Sequence, residues 1–275
     1  MIKNDRRSPG VPALRHGLPL VAAALALLSM LAVIPPAAAI SGGGGGGTVT
    51  PVCRRLGHLI VKNRQGVASV VRNDNFGGLP ECLTVSELGP NFVVSQQAGR
   101  KAHRTVIAFP NIFTGCSWGV CAPRSALPAL VSTLRNPVTS WTTAHAAAGR
   151  WNAAYDIWFA KRRMVTGQAD GAELMIWLSA RDLALATKRV VRIDHARWYV
   201  AHWMPHRNGA AWGYIQFRRV HAVAGVRGLQ LAPFIKLAER FGWIRPSWWM
   251  LNIEAGFEIW SGGKGLATRS FTARA

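Results

Sequence analysis

Three acidic residues lie inside strongly apolar stretches of this chain. They are Asp156 in AAYDIWF, Glu173 in GAELMIWL and Glu258 in AGFEIWSGG, in a chain whose 275 residues include 12 Asp and Glu. A buried carboxylate is costly unless it is paired or takes part in chemistry. Each acid could pair with one of the many arginines, but three instances of one pattern favour a chemical role.

The spacing around these acids follows the two-residue period of β-strands, whose successive side chains point to opposite faces. One face of each strand is then wholly apolar and suited to a core, while the other combines a carboxylate with an indole. The residues that share a face are Asp156 with Trp158, Glu173 with Met175 and Trp177, and Glu258 with Trp260.

A surface of acids and flat aromatic rings is suited to carbohydrate chemistry. Indoles can stack on the apolar faces of sugars, and hydrolysis of a glycosidic bond needs two carboxyl groups, one protonated and one ionised. The pattern therefore predicts a glycoside hydrolase whose activity shows an acidic-to-neutral bell-shaped pH dependence.

The elements that must hold these residues are mostly short strands. Many runs rich in β-branched and aromatic residues alternate with Gly, Pro, Asn and Ser, which is typical of an all-β sandwich or barrel. The stretch from Leu229 to Ile244 instead has helical spacing and predicts one amphipathic helix on the outer face of a sheet, ended by Pro246.

The amino-terminal stretch resembles an export signal and is not expected to belong to the fold. A basic segment, the apolar run Leu18 to Ile34 and small alanines follow one another, which predicts a signal peptide at residues 1–39. Residues 40–50 form a Gly-rich linker, and residues 51–275 form the catalytic domain. We expect a secreted monomer, with an uncleaved membrane anchor as the alternative.

The four cysteines are Cys53, Cys82, Cys116 and Cys121. In an exported chain they predict disulfides. The short GCSWGVC loop favours Cys116 with Cys121, which leaves Cys53 with Cys82. A zinc site is the alternative, although paired C-x-x-C units are absent from the sequence.

Charge and histidine spacing suggest other functions less strongly. The formal net charge is +21, but the basic residues are scattered and carry no nucleic-acid-binding motif, so we expect no nucleic-acid partner. His202 and His206 have metal-ligand spacing, but Pro205 between them disfavours an aligning helix. We expect neither a metal nor another cofactor.

At these motifs the chain resembles glycoside hydrolase family 12, secreted cellulases and xyloglucanases of β-jelly-roll fold. The resemblance extends from about Cys53 to the carboxyl terminus. The stretches that carry it are VRNDNFGG with CLTV, FPNIFTGCSWGVC, SALPALVSTL, WNAAYDIWF, TGQADGAELMIWL and GFEIWSGGKGLATRSF. It implies a jelly-roll of two antiparallel sheets with one α-helix packed outside.

The resemblance also implies a retaining endo-β-1,4-glucanase. Glu173 matches the family's nucleophile, Glu258 its acid/base and Asp156 the acid beside the nucleophile. The substrate would be a β-glucan polysaccharide cut internally, and the two carboxyl groups would lie about 5–5.5 Å apart. A xyloglucan-specific enzyme and a non-catalytic carbohydrate-binding sandwich are the alternatives.

Eight further residues are expected to bind the substrate. Phe76 stands where the family usually has Trp, and the SARDLALATKRVVRID segment replaces the usual loop after ELMIWL; both departures affect substrate preference. The expected substrate-binding residues are Asn75, Phe76, Trp118, Asn152, Trp158, Met175, Trp177 and Trp260.

Overall fold

The computed structural model describes residues 48–99, 105–146, 148–204, 206–207 and 210–275. The predicted signal peptide and most of the predicted linker lie outside this part of the chain. The described residues from Thr48 onward form one compact unit, whose first strand begins at Val49, two residues before the predicted domain start. Within the described residues, the helix is too short and too polar to cross a membrane.

Strands dominate the described chain, as predicted. The first eleven are β1 (Val49–Val52), β2 (His58–Lys62), β3 (Ala68–Arg72), β4 (Glu81–Ser86), β5 (Phe92–Gln97), β6 (Asn111–Ser117), β7 (Val120–Cys121), β8 (Ala129–Leu130), β9 (Val138–Ala144), β10 (Gly149–Ala160) and β11 (Ala172–Arg181). The remaining ten are β12 (Val190–Ile193), β13 (Ala196–Trp203), β14 (His206–Arg207), β15 (Ala210–Ala211), β16 (Gly213–Arg219), β17 (Gly225–Gln230), β18 (Trp249–Met250), β19 (Asn252–Gly256), β20 (Ile259–Gly262) and β21 (Ala267–Arg274). A 3-10 turn spans Val131–Thr133, and helix α1 spans Ala232–Arg240.

The strands form two main sheets, which confirms the predicted jelly-roll class. The smaller sheet has the order β1-β4-β5-β21-β9-β17, and the main path of the larger sheet is β12-β13-β16-β11-β10-β19-β6-β3-β2. The described ladders are antiparallel except for β11 with β16, which run parallel. This pairing brings residues from distant parts of the chain beside β11, in the middle of the larger sheet.

The core lies on the apolar faces that the two-residue alternation predicts. Trp141 of the smaller sheet packs edge-on against Tyr155 of the larger sheet at 5.4 Å between ring centroids. It also contacts Phe257 at 5.6 Å. The predicted core residues of the three acid-bearing stretches are fully buried: Tyr155, Ile157, Phe159, Leu174, Ile176, Phe257 and Ile259.

Helix α1 is shorter than the predicted span from Leu229 to Ile244. Its amino-terminal end is displaced because Leu229 and Gln230 are the last residues of β17 and pair with β9. At the other end, the prediction that Pro246 stops the helix was wrong. Gly242 takes a left-handed conformation at φ +72°, which ends the helix in a hydrogen-bonded turn.

The helix packs on the side of the larger sheet that faces away from the three acids. Phe234 is fully buried and meets Trp198 of β13 at 5.0 Å. It meets Phe217 of β16 at 5.2 Å. Both partners belong to the main core, so the apolar stripe of the helix extends that core.

Two disulfides join the predicted partners, Cys53 with Cys82 and Cys116 with Cys121. The second links β6 to β7 across a two-residue turn. Trp118 and Gly119 form that turn with φ angles of +48° and +88°, as in tight hairpins. The indole at its tip is half exposed, with 50% of the residue surface accessible.

Candidate active site

Strands β10 and β11 lie side by side and bring two of the predicted acids together. Asp156 is opposite Met175, and Trp158 is opposite Glu173. Asp156 and Glu173 are therefore diagonal neighbours on one face, a spacing of about 7–8 Å between Cα atoms. Asp156 is 8% exposed, whereas Glu173 is more accessible.

Glu258 reaches the same site from a break between two strands. It lies between β19 and β20, so the single GFEIW strand inferred from the sequence is interrupted at this residue. The predicted alternation persists, since Phe257 and Ile259 are buried in the core while Glu258 and Trp260 are partly exposed.

Asn152 of β10 replaces the missing ladder partner of Glu258. The backbone N–H of Asn152 donates to the Glu258 carbonyl at 3.0 Å. The Glu258 N–H donates to Asn152 Oδ1 at 3.1 Å, and Asn152 Nδ2 donates to Glu258 Oε2. The amide side chain therefore fixes both the backbone and the carboxylate of Glu258.

Glu173 has a hydrogen-bond donor that the sequence did not indicate. Trp212, just before β16, donates its Nε1–H to Glu173 Oε2 at 2.7 Å. Tyr214 is opposite Glu173 in the parallel ladder and stacks on Trp203 at 4.2 Å between ring centroids. The stretch from Trp203 to Tyr214 thus contributes Trp212 and Tyr214 beside Glu173, with Trp203 stacked on Tyr214.

The protonation of the site reflects burial and crowded negative charge. Burial raises the pKa of Asp156 well above its usual value, and three neighbouring carboxylates act in the same direction. These are Glu173, Glu254 and Glu258. Burial also raises the pKa of Glu258 to about 7, against the hydrogen bond from Asn152.

Tyr214 on β16 is close to all three predicted acids. Burial raises the pKa of its phenol well above the usual value, and the charges of Glu258, Glu173 and Asp156 add to this effect. A group that feels all three acids must lie close to each of them. The predicted acids therefore form one cluster, and Tyr214 stays a protonated phenol within it.

The predicted aromatic residues differ in their access to a ligand. Trp118 and Trp158 both line a groove between the 116–118 and 164–169 segments, and Trp158 also donates to Asp156 Oδ2 at 3.0 Å. Trp260 is partly exposed. Met175 and Trp177 are only 1% and 6% exposed, so they form the floor beneath the site.

Asn75 and Phe76 lie in the loop after β3, three strands away from β10. The side chain of Asn75 is engaged within its own loop, accepting from the Gly78 N–H and donating to the Leu79 carbonyl. Phe76 is 45% exposed and available to a ligand. Asn75 therefore shapes the loop that carries Phe76.

Sequence reasoning missed Glu254, which lies on β19 directly opposite Asp156. The signal was present, because Glu254 and Glu258 are four residues apart and so share the parity of one strand face. His202, considered above as a metal ligand, stacks on Trp243 at 4.6 Å. Within the described residues, no group of three or more His, Cys, Asp or Glu is arranged to hold a metal ion.

Comparison with known proteins gives consistent matches. Residues 90–275 match the family model described as Glycosyl hydrolase family 12. Endoglucanase S of Pectobacterium parmentieri is 27% identical over 164 residues, which are 58% of this chain and 62% of that relative. The chain thus spans less than two thirds of the length of this relative.

Solved structures show the likeness over a larger share of both chains. The endoglucanase Cel12A of Rhodothermus marinus is 35% identical with a TM-score of 0.74, and the match covers 82% of this chain and 98% of that one. A metagenome-derived glycoside hydrolase family 12 endoglucanase is 34% identical with a TM-score of 0.74, covering 82% and 97%.

Proposed function

Because the chain belongs to glycosyl hydrolase family 12, we propose that it hydrolyses internal β-1,4-glucosidic bonds of glucan polysaccharides with retention of configuration. Glu173 is the nucleophile, Glu258 is the acid/base, and Asp156 assists the nucleophile. Water is the final acceptor, and the reaction uses no cofactor.

The observation that carries this proposal is the different environment of the two glutamates on one face. Burial raises the pKa of Glu258 to about 7, so this carboxyl is protonated in mildly acidic solution. Glu173 accepts a hydrogen bond from the indole N–H of Trp212, which stabilises a carboxylate. One acid able to give a proton and one able to attack are the pair that a glycosidase needs.

In the first step, Glu258 donates its proton to the glycosidic oxygen as the C–O bond breaks. A carboxylate oxygen of Glu173 attacks the anomeric carbon from the opposite face and forms a covalent glycosyl-enzyme. The fragment on the leaving side of the broken bond departs with the proton from Glu258, while the other fragment stays bound to Glu173. This requires the two carboxyl groups to lie about 5–5.5 Å apart in the substrate complex.

In the second step, the now ionised Glu258 removes a proton from water. The resulting hydroxide equivalent attacks the anomeric carbon and displaces Glu173, so that both carboxyl groups return to their starting states. Asn152 keeps Glu258 oriented through both steps because it binds the backbone and the carboxylate of this residue.

The disulfides and the amino-terminal sequence support an extracellular setting. Two described disulfides are consistent with an oxidising compartment, and the signal-like residues 1–39 support export. We therefore propose that the enzyme acts outside the cytoplasm. Its net charge of +21 would favour contact with anionic cell-wall surfaces.

Reducing-sugar release from carboxymethylcellulose, barley β-glucan and xyloglucan tests the activity and identifies the preferred glucan. Glu173→Gln and Glu258→Gln should each lower kcat by at least about 10²-fold, the usual scale for losing a positioned acid or nucleophile. Glu87→Gln, a change at an exposed glutamate, is the matched control. Undiminished turnover in either site variant would refute the assignment.

A second measurement separates the two roles and tests retention. With an aryl cellobioside whose leaving group needs no protonation, Glu258→Gln should retain far more of the first step than Glu173→Gln. Early product examined by NMR should be the β-anomer. A non-catalytic binding module would instead bind glucan equally well in all three variants and release no sugar.

A further inference from the structure

A fourth carboxylate, Glu254, lies on the strand next to the one that carries Asp156. Glu254 on β19 is directly opposite Asp156 on β10, and directly opposed side chains in an antiparallel pair have Cβ atoms about 4.5–5.5 Å apart. Glu254 is 2% exposed and Asp156 is 8% exposed. Two carboxyl groups this close and this poorly hydrated do not both ionise readily.

The two acids differ in their hydrogen-bond partners. Glu254 Oε1 accepts from Asn252 Nδ2 at 2.6 Å, and the carboxylate also accepts from the hydroxyl of Ser117. Asp156 accepts from Trp158 through Oδ2, but its Oδ1 is buried without a hydrogen-bond partner. Negative charge is therefore better supported on Glu254, and a proton is better placed on Asp156.

Ser117 connects Glu254 to a cation, Arg72, whose effect on the pKa of Glu254 is smaller than the opposing effect of Asp74. Arg72 of β3 donates to Ser117 Oγ at 3.2 Å and lies 3.8 Å from Asp74. Burial raises the pKa of Glu254 to about 7, and the charge of Asp74 acts in the same direction. The hydrogen bond from Ser117 lowers this pKa, and the charge of Arg72 lowers it by less. The polar chain thus runs from Arg72 through Ser117 to Glu254.

Two further acids act on Asp156, and a phenol lies near all three. Glu173 on β11 and Glu258 after β19 both raise the pKa of Asp156. Tyr214 on β16 feels the charges of these same acids. A charge on Asp156 would repel both proposed catalytic groups. A charge on Glu254 lies one strand farther from Glu173 and beside its own hydrogen-bond donors.

We propose that Glu254 is a positioning residue that takes the negative charge of the Asp156–Glu254 pair and so keeps Asp156 protonated beside the nucleophile. Asp156 then remains neutral while Glu173 carries the charge needed for attack. Glu254 acts through Asp156 and does not touch the substrate. This inference rests on the proposed function, since it concerns the same nucleophile.

The pH dependence of one variant tests the proposal. In acidic solution both members of the pair are protonated, so Glu254→Gln should match the parent enzyme. Above neutral pH the parent carries charge on Glu254, which opposes ionisation of Asp156. In Glu254→Gln that charge is absent, so Asp156 ionises at a lower pH than it does in the parent. The ratio of kcat of the variant to that of the parent should therefore be near unity at about pH 5 and fall severalfold by about pH 8.

The substrate should be an aryl cellobioside with an easily lost leaving group, because its first step does not need the proton of Glu258. Hydrolysis by the parent enzyme is measured first, and its absence would reject the proposed function rather than the role of Glu254. A loss in Glu254→Gln that is the same at every pH would indicate a structural role and overturn the proposal, as would an unchanged pH profile.

A second variant keeps the proposal testable if Glu254→Gln does not fold. Ser117→Ala removes a donor to Glu254, so Glu254 should ionise at higher pH and the severalfold loss should again be confined to neutral and alkaline solution. Glu254→Asp restores a carboxylate and should recover the parent profile in part. Glu87→Gln, at the exposed glutamate, should leave the profile unchanged.

Discussion

Asn152 holds Glu258 at both the backbone and the carboxylate. The Asn152 N–H donates to the Glu258 carbonyl at 3.0 Å, and the Glu258 N–H donates to the side-chain Oδ1 of Asn152 at 3.1 Å. Its amide Nδ2 also donates to Glu258 Oε2. A residue between two strands would ordinarily be free to shift. This amide instead fixes the orientation of Glu258 and lowers the pKa of its carboxyl group.

Replacing Asn152 with Leu should move the alkaline limb of the pH profile to higher pH. The Asn152 hydrogen bond opposes the burial that raises the pKa of Glu258 to about 7. Without that bond, Glu258 stays protonated at higher pH. Because the acid must be protonated in the first step, the decline of kcat/KM above neutral pH should begin later, with a lower maximum. Rates on barley β-glucan across pH measure this.

The matched control is Asn91→Leu, in the loop between β4 and β5 of the other sheet. This variant should leave the acidic and alkaline limbs of the pH profile of kcat/KM unchanged. An Asn152→Leu enzyme with a lower rate but an unmoved alkaline limb would mean that the hydrogen bond orients Glu258 without setting its pKa.

Trp118 offers a prediction about substrate binding. It is half exposed at the tip of the disulfide-linked β6–β7 turn and lines the same groove as Trp158. Loss of an aromatic platform remote from the bond being cut removes binding that is equal in ground and transition states. Trp118→Ala should therefore raise KM severalfold on polymeric glucan with little change in kcat.

Phe241→Ala serves as the control for Trp118→Ala, since Phe241 is an exposed aromatic residue at the end of α1. Its KM should equal that of the parent. A Trp118→Ala enzyme with unaltered KM on long glucans would remove Trp118 from the substrate path.

Strand alternation correctly predicted which side chains enter the core and which share a face with the acids. This works because the two-residue period is a local property of the backbone, so Tyr155 and Ile157 had to oppose Asp156 wherever β10 lay. Glu254 obeys the same rule, because it is four residues from Glu258 in the NIEAGFEIW stretch and so shares its face.

The contacts of Trp212 and Tyr214 were not predictable in the same way. They approach Glu173 because β16 pairs in parallel with β11, and the register of two distant strands is set by global packing rather than by local periodicity. The helix boundaries show a similar limit. The apolar spacing that begins at Leu229 starts in the last residues of β17, and helical periodicity alone cannot distinguish the end of that strand from the first turn of the helix.

Phe234 tests whether α1 is an integral part of the core. Its ring is fully buried against Trp198 and Phe217. Truncating a buried phenylalanine to alanine costs about 3–5 kcal/mol. Phe234→Ala should thus lower Tm by roughly 10 °C in a domain of this size, while activity at low temperature persists because α1 packs away from the acids.

Lys236→Ala on the exposed face of the same helix controls for helix propensity and should leave Tm nearly unchanged. Equal melting temperatures for Phe234→Ala and the parent would mean that the helix is not held by this side chain.

Glu81 should make the fold less stable as the solution becomes alkaline. It is 3% exposed, and neither carboxyl oxygen has a hydrogen-bond partner. Burial, with a smaller contribution from the charge of Asp74, raises its pKa from 4.5 to about 8. The unfolded chain therefore releases this proton at lower pH than the folded chain does, so stability from this group is complete below about pH 4.5 and declines toward pH 8.

Glu81→Gln keeps the shape of the side chain but cannot ionise. It should therefore raise Tm by several degrees at about pH 8 and have little effect on Tm at about pH 4. The difference is measurable because each unit by which the pKa is raised corresponds to about 1.4 kcal/mol of folding free energy. Thermal melts followed by circular dichroism at both pH values measure the difference. Glu87→Gln, at an exposed site, should leave the melting curve unchanged at either pH. A Glu81→Gln protein that gains nothing at alkaline pH would show that Glu81 is hydrated or paired in solution, because only a carboxyl group kept from water and from cations makes its ionisation costly to the fold.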